Sequence, residues 1–224
     1  MIISDCPAII SAGDTGCFWW MSVPTEKCEG EYVGFGCKDR LDALRWIDWM
    51  IRKVEREEHM PVQILLHGTS MGASTVLMAS GLRLPDQVKG IISDCAFTSP
   101  KEVFTHVLHS MYHLPAFPML NIADFVNRKK AGYGLDECNA AREVRKAKVP
   151  ALLIHGSRDT FVPCSMCEEI YRNYAGPKRK LIVFRRRPCG ELLQRSGGLR
   201  GGSGRIYWRN HKMMRKEKVI RFIR

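Results

Sequence analysis

From Asp39 onward the chain carries two kinds of hydrophobic pattern. Leu41, Leu44, Trp46, Ile47, Met50, Ile51 and Val54 recur at three- and four-residue spacing with charged residues between them, which predicts a helix. Residues 62–67 (VQILLH) are instead a short, continuously apolar run, as expected of a strand buried on both faces. VKGIISD (88–94), VPALLIHG (149–156) and KLIVF (180–184) read the same way. Helices are predicted from Ser70 to about Leu82 and over 163–174. Strands alternating with helices give an α/β fold, a parallel sheet with helices on both faces. Residues 100–147 interrupt the alternation with helical patterns broken by Pro115, Pro118 and Gly132, and are predicted to sit over the strand ends as a cap. Residues 1–36 show no period. The resulting division is an irregular segment 1–36, a core 37–184 containing the cap insertion, and a tail 185–224.

Composition changes this picture little until charge is mapped. The chain has 224 residues, 45% of them hydrophobic, enough for one domain with its own core. No apolar run reaches the roughly 18 residues of a membrane span, and Asp5 and Asp14 flank an N-terminal apolar stretch that lacks a basic leader. The expectation is a cytoplasmic protein with no membrane partner, unless a leader or anchor is missing from this chain. Nine cysteines at irregular spacing are expected to be reduced. Cys164 and Cys167 form a lone C-x-x-C with no second pair at zinc spacing, so helix start is preferred over metal or redox use. Net charge is +12, but residues 185–224 hold 13 Lys/Arg against 2 Asp/Glu, leaving 22 against 21 for residues 1–184. The body is neutral and the tail is basic.

The chemistry centres on Gly68-Thr69-Ser70-Met71-Gly72, a G-x-S-x-G that follows a buried strand and opens a helix. In that context the turn is too tight for side chains at the glycine positions, and the serine hydroxyl is pushed out at the sheet edge. LLHGTSMGAS resembles the nucleophile elbow of the α/β-hydrolase superfamily, and ALLIHGSRDTFVP (151–163) resembles its acid segment. The similarity covers roughly residues 29–184 and points toward bacterial esterases and serine peptidases. It implies a three-layer α/β-hydrolase sheet, Ser70 as nucleophile and Asp159 as the acid that orients the base. Met71 N–H would be an oxyanion donor, and Gly68, Thr69 and Gly72 would shape the elbow. Asp94, ending the preceding strand, is the alternative acid. The early strands of the sheet are missing or scrambled in the sequence.

The resemblance also requires a histidine after the acid, near Pro188, and none is there. His67 and His155 each close a strand before a glycine and are read as core residues. His106, His109 and His113 fall in the cap segment, and His211 lies deep in the tail. A codon-level reading accounts for the gap. Shifted by one base, Pro188-Cys189 can spell histidine inside Gly-x-Gly-His, and Met213-Met214 must contain a stop. Shifted by two, Trp19-Trp20 and Met21 must spell Val-Asp. By this reading, residues up to about Lys27 and from about Arg185 are out-of-frame translations. The rival is a genuine basic tail binding RNA or an acidic partner, which is not favoured because no aromatic stacking platform accompanies it.

The function implied is hydrolysis of a small-molecule ester, thioester or amide through an acyl-enzyme on Ser70, impaired in this chain for want of a base. The alternative is a non-catalytic binding protein that keeps the fold and contacts nucleic acid or an acidic partner through its tail. No metal and no organic cofactor is implied. The Met-, Phe- and Leu-rich segment 104–126 suits an apolar substrate or plain core packing. Sequencing the encoding DNA should show CAT spanning codons 188 and 189; codons unable to spell Gly-x-Gly-His in any frame would make the tail genuine.

Overall fold

The computed structural model describes residues 8–12, 15–19, 32–59, 61–183 and 218–223. Its elements are β1 (Ala8–Ala12), β2 (Thr15–Trp19), α1 (Asp39–Glu58), β3 (Val62–Thr69), α2 (Met71–Ser80), β4 (Val88–Asp94), α3 (Pro100–Met111), α4 (Met119–Ala131), α5 (Ala140–Glu143), β5 (Ala151–Gly156), α6 (Cys164–Asn173), β6 (Lys178–Val183) and β7 (Lys218–Ile223). A seven-stranded sheet runs β1-β2-β7-β3-β4-β5-β6, and every neighbouring pair except β1–β2 is parallel.

Two departures from the sequence reading lie at the chain's ends. Residues 1–36, expected to be irregular, contain β1 and β2, an antiparallel pair with Ala12 opposite Thr15. Strand pairing, which leaves no period in so short a segment, sets their positions. β7, from the expected tail, lies between β2 and β3, with Val62 opposite Lys218. β1, β2 and β7 thus lie on the side of β3 away from β4. The histidine position near Pro188, the Pro188-Cys189 codons, Met213-Met214 and His211 lie outside the described residues, as do Trp20, Met21 and Lys27.

The central strands follow from their composition. β3, β4 and β5 are apolar on both sides because both faces are covered. One face, with Ile64, Leu66, Ile91 and Leu153, joins Ile47, Met50, Leu77 and Ile170 of the helices in the main core. The other face buries Ile92, Leu152 and Ile154 in a smaller cluster packed by Leu65 and Val183. Helix α2 is almost entirely buried, which its small residues Ala73, Ser74 and Ala79 permit.

The 100–147 insertion is anchored at its base. Ser99 caps α3 by accepting from Glu102 N at 3.2 Å. The Glu102 carboxylate accepts from the Thr98 hydroxyl and, at 3.3 Å, from Asn139 Nδ2. Ala140 N donates to Thr98 O at 2.6 Å. Chain direction then reverses between α3 and α4 around Pro115 and Pro118, and α4 ends on Gly132, whose φ of 71° suits glycine.

A single serine ties α2 to the loop after β4. Ser74 Oγ accepts from Phe97 N at 2.8 Å and donates to Phe97 O at 2.9 Å, all within the core. Ser74→Ala would orphan both buried backbone groups. The expected loss is about 2–3 kcal/mol of unfolding free energy, read from urea denaturation.

Candidate active site

Three adjacent strands deliver the candidate residues to one edge of the sheet. β3 ends at Thr69, opposite Asp94 at the end of β4, and Asp94 lies opposite Ile154 of β5. Backbone bonds continue past the strand ends: Ser70 N donates to Asp94 O at 2.7 Å, and Cys95 N to Ile154 O at 2.9 Å. With strands about 4.8 Å apart, residues following β3 and β5 are roughly 10 Å apart in the sheet, close enough for side chains to converge.

The joint between β3 and α2 is unusually close. A Cβ placed on Gly68 would lie 2.2 Å from Gly72 O, so no other residue fits at Gly68. Ser70 takes the strain of this turn, with φ 52° and ψ −114°. A non-glycine residue there costs about 1–3 kcal/mol and persists only where surrounding structure enforces it. Ser70 occupies the N-cap position of α2, yet its side chain makes no capping bond. Ser70 is an exposed residue, and its hydroxyl is not engaged by its own helix. Met71 opens α2, so its N–H belongs to the first turn, where N–H groups have no intrahelical acceptor and the helix dipole is positive. Thr69 is the last strand residue before the turn.

The acid candidates sit side by side but differ in setting. Asp159 follows β5 in a turn that brings its N within 3.3 Å of Gly156 O. Its Oδ1 accepts from Phe161 N and Val162 N, each at 2.9 Å, while Oδ2 holds no hydrogen bond among the described residues. Asp94 is buried at the strand end. Burial, reinforced by the neighbouring Asp159 carboxylate, pushes its pKa up to about 6.

The histidines are placed by the fold rather than by the serine. His155 is fully buried and its Nε2 bonds Val162 O at 2.9 Å, the core role expected of it. His67 is likewise buried in β3. His109 and His113 are exposed on the insertion. His106 reaches from α3 to Thr160 O at 3.0 Å, joining the insertion to the acid turn, a contact between residues 54 apart that no sequence signal marks. Among the described residues no histidine bonds the Ser70 hydroxyl or the Asp159 carboxylate.

Cys95, His155 and Asp159 bring one donor atom each within 4.8 Å of one another. Cys95 is disulfide-bonded, so it lacks the thiolate that metal ligation needs. This also corrects the expectation that all cysteines are reduced; among the described residues Cys37, Cys138, Cys164 and Cys167 are free. Burial raises the pKa of both Cys164 and Cys167, the opposite of an activated C-x-x-C pair.

No protein-family model matches the chain. The uncharacterized protein YqkD of Bacillus subtilis is 36% identical over 118 residues, 53% of this chain and 39% of that protein. The uncharacterized protein YfhR of Salmonella typhi is 24% identical over 154 residues, 64% of this chain and 44% of that protein. The chain thus spans about two-fifths of the length of these relatives. Among solved structures, the esterase Pf2001 of Pyrococcus furiosus superposes with TM-score 0.53 at 21% identity, covering 76% of this chain and 61% of that one. An acetyl xylan esterase from Paenibacillus sp. R4 gives 0.50 at 20%, covering 71% and 51%. The acylaminoacyl peptidase of Pyrococcus horikoshii gives 0.50 at 17%, covering 71% and 25%.

The raised pKa of Asp94 has a signed consequence. Folding favours its protonated form, so the folded state holds an extra proton between the ordinary value of 3.8 and about 6. Its contribution to stability is complete below pH 4 and is lost as pH rises through 6. Asp94→Asn should flatten the dependence of unfolding free energy on pH across that window, measured by urea titration at successive pH values.

Proposed function

The chain has the α/β-hydrolase fold, and we propose that it uses that fold as a serine hydrolase acting on a small-molecule ester, thioester or amide. The observation that carries this reading is the conformation of Ser70. A serine at a helix N-cap ordinarily turns its oxygen back to the first N–H groups. This one is held at φ 52° with no capping bond, at the carboxyl edge of a parallel sheet. Open α/β sheets bind ligands at that edge.

In the proposed reaction Ser70 Oγ attacks the acyl carbonyl, and negative charge develops on the carbonyl oxygen near Met71 N–H and the start of α2. Collapse expels the alcohol, thiol or amine and leaves an acyl-serine, which water then hydrolyses. Asp159 is the acid of this reading. Two backbone bonds on one oxygen fix its carboxylate and leave the other oxygen for a base. Asp94 is the weaker choice because burial favours its neutral form. Gly68 and Gly72 serve by the closeness of their backbones.

The base is the missing member. No described histidine serves Ser70, and the members of a triad act as a unit. The proposal therefore includes slow chemistry: a fluorophosphonate probe should label Ser70 slowly, Ser70→Ala should abolish the label, and steady ester turnover should stay near background. Peptide mapping of the labelled protein and a p-nitrophenyl ester assay read these outcomes. Absence of label at Ser70 would overturn the hydrolase reading in favour of a binding protein on the same fold. Fast turnover lost in Ser70→Ala would overturn the impairment instead.

A further inference from the structure

We propose that the hairpin of α3 and α4 docks on an anionic lipid bilayer. The argument is independent of the role given to Ser70. The hairpin's outer side leaves large apolar residues in water: Tyr112 is 63% exposed, Phe117 72%, Ile122 60% and Phe125 58%. Met111 and Val126 extend the patch. Ile122, Phe125 and Val126 are spaced as neighbours on one helical stripe, while Leu120 on the opposite side of α4 is buried. Together these side chains expose apolar surface on the order of 500 Å², near the upper end of what single soluble domains show. The segment is thus neither core nor randomly apolar surface.

Charge identifies the occupant. Lys129 continues the stripe one turn beyond Phe125, with Nζ 4.7 Å from that ring's centroid, and Arg128 and Lys130 flank it. Asp124, the only acidic residue between Val103 and Leu135, is already engaged by Arg128 at 2.7 Å and Leu135 N at 2.6 Å. A second copy of the same face would press Lys129 against a surface with no carboxylate to spare. The basic segment 185–224 of this chain carries the same sign of charge. A protein partner fits poorly with lysines placed within the apolar row, because interface centres are depleted in lysine. An anionic bilayer satisfies both features. Apolar side chains enter the acyl boundary, Tyr112 and Phe117 take the interfacial level, and Arg128, Lys129 and Lys130 meet the headgroups. The contact is peripheral; no helix among the described residues is long and apolar enough to cross a membrane. It departs from the sequence expectation of no membrane partner, which rested on the lack of a span.

Vesicle flotation tests the proposal, using phosphatidylcholine vesicles with and without phosphatidylglycerol. The full chain should float with the anionic vesicles only, and added salt should weaken the association. The combined variant Phe117→Ser, Ile122→Ser and Phe125→Ser should reduce binding about tenfold or more, as should Lys129→Glu with Lys130→Glu. All five positions are on the hairpin surface, so circular dichroism and the thermal midpoint should match the parent. Retained binding in the apolar variant would overturn the proposal and place lipid contact elsewhere, the basic tail included. Equal binding to uncharged vesicles, or none to either kind, would also overturn it. So would a dimer that the apolar variant converts to monomer while the parent fails to float.

Discussion

Two backbones that approach within contact distance at Gly68 and Gly72 govern this molecule. Everything around the strand-to-helix joint adjusts to that closeness. The residue between β3 and α2 must turn sharply, so Ser70 adopts a positive φ. Helix α2 must begin almost on top of the strand and lie deep in the core. It is therefore built from small residues, and the polar ones among them need partners. Ser74 finds its partner in the backbone of Phe97, so one side chain both satisfies the buried helix and fixes the loop that follows β4. The strained serine and the well-packed helix are two sides of one constraint.

The neighbouring carboxylates show how position along a strand sorts chemically identical groups. Asp94 is the last residue of a central strand and shares its burial. Asp159 comes three residues after its strand, where the chain has room to turn back and supply N–H groups to one oxygen. Both reach the same edge; burial favours the neutral form of the first, while the second accepts two backbone N–H groups on one carboxylate oxygen. Ser93, Thr98, Ser99 and His155 are buried polar residues of the same region of the chain, and the last three find partners in Glu102 and Val162 O.

Much of this was legible in the sequence, and the rest was hidden for identifiable reasons. The strand Val88–Asp94 coincides with its apolar run, and the elbow could be read because a turn of that tightness requires glycines at fixed offsets. β1 and β2 were missed although Gly13-Asp14 between them is a two-residue hairpin signal, since their residues lack alternation. β6 begins two residues before its apolar run because Lys178 and Arg179 lie on an edge strand that tolerates charge. The proximity of His106 to Thr160, and of Asp94 to Asp159, joins residues far apart in sequence. Composition left the segment around Phe117 and Phe125 equally suited to core or substrate contact, whereas the fold leaves it exposed.

The insertion is also mechanically uneven. At its root, Glu102 joins Thr98, Ser99 and Asn139 through part-buried hydrogen bonds. Farther along α3, Phe104 packs edge-on against Phe35 and His106 bonds the turn after β5. Beyond it, residues 109–115 are exposed. Stability against local opening follows the density of such buried contacts. The hairpin is thus held tightly at its root and loosely at its tip, and through His106 it is tied to the residue after Asp159, so that a displacement of α3 bears on the acid turn.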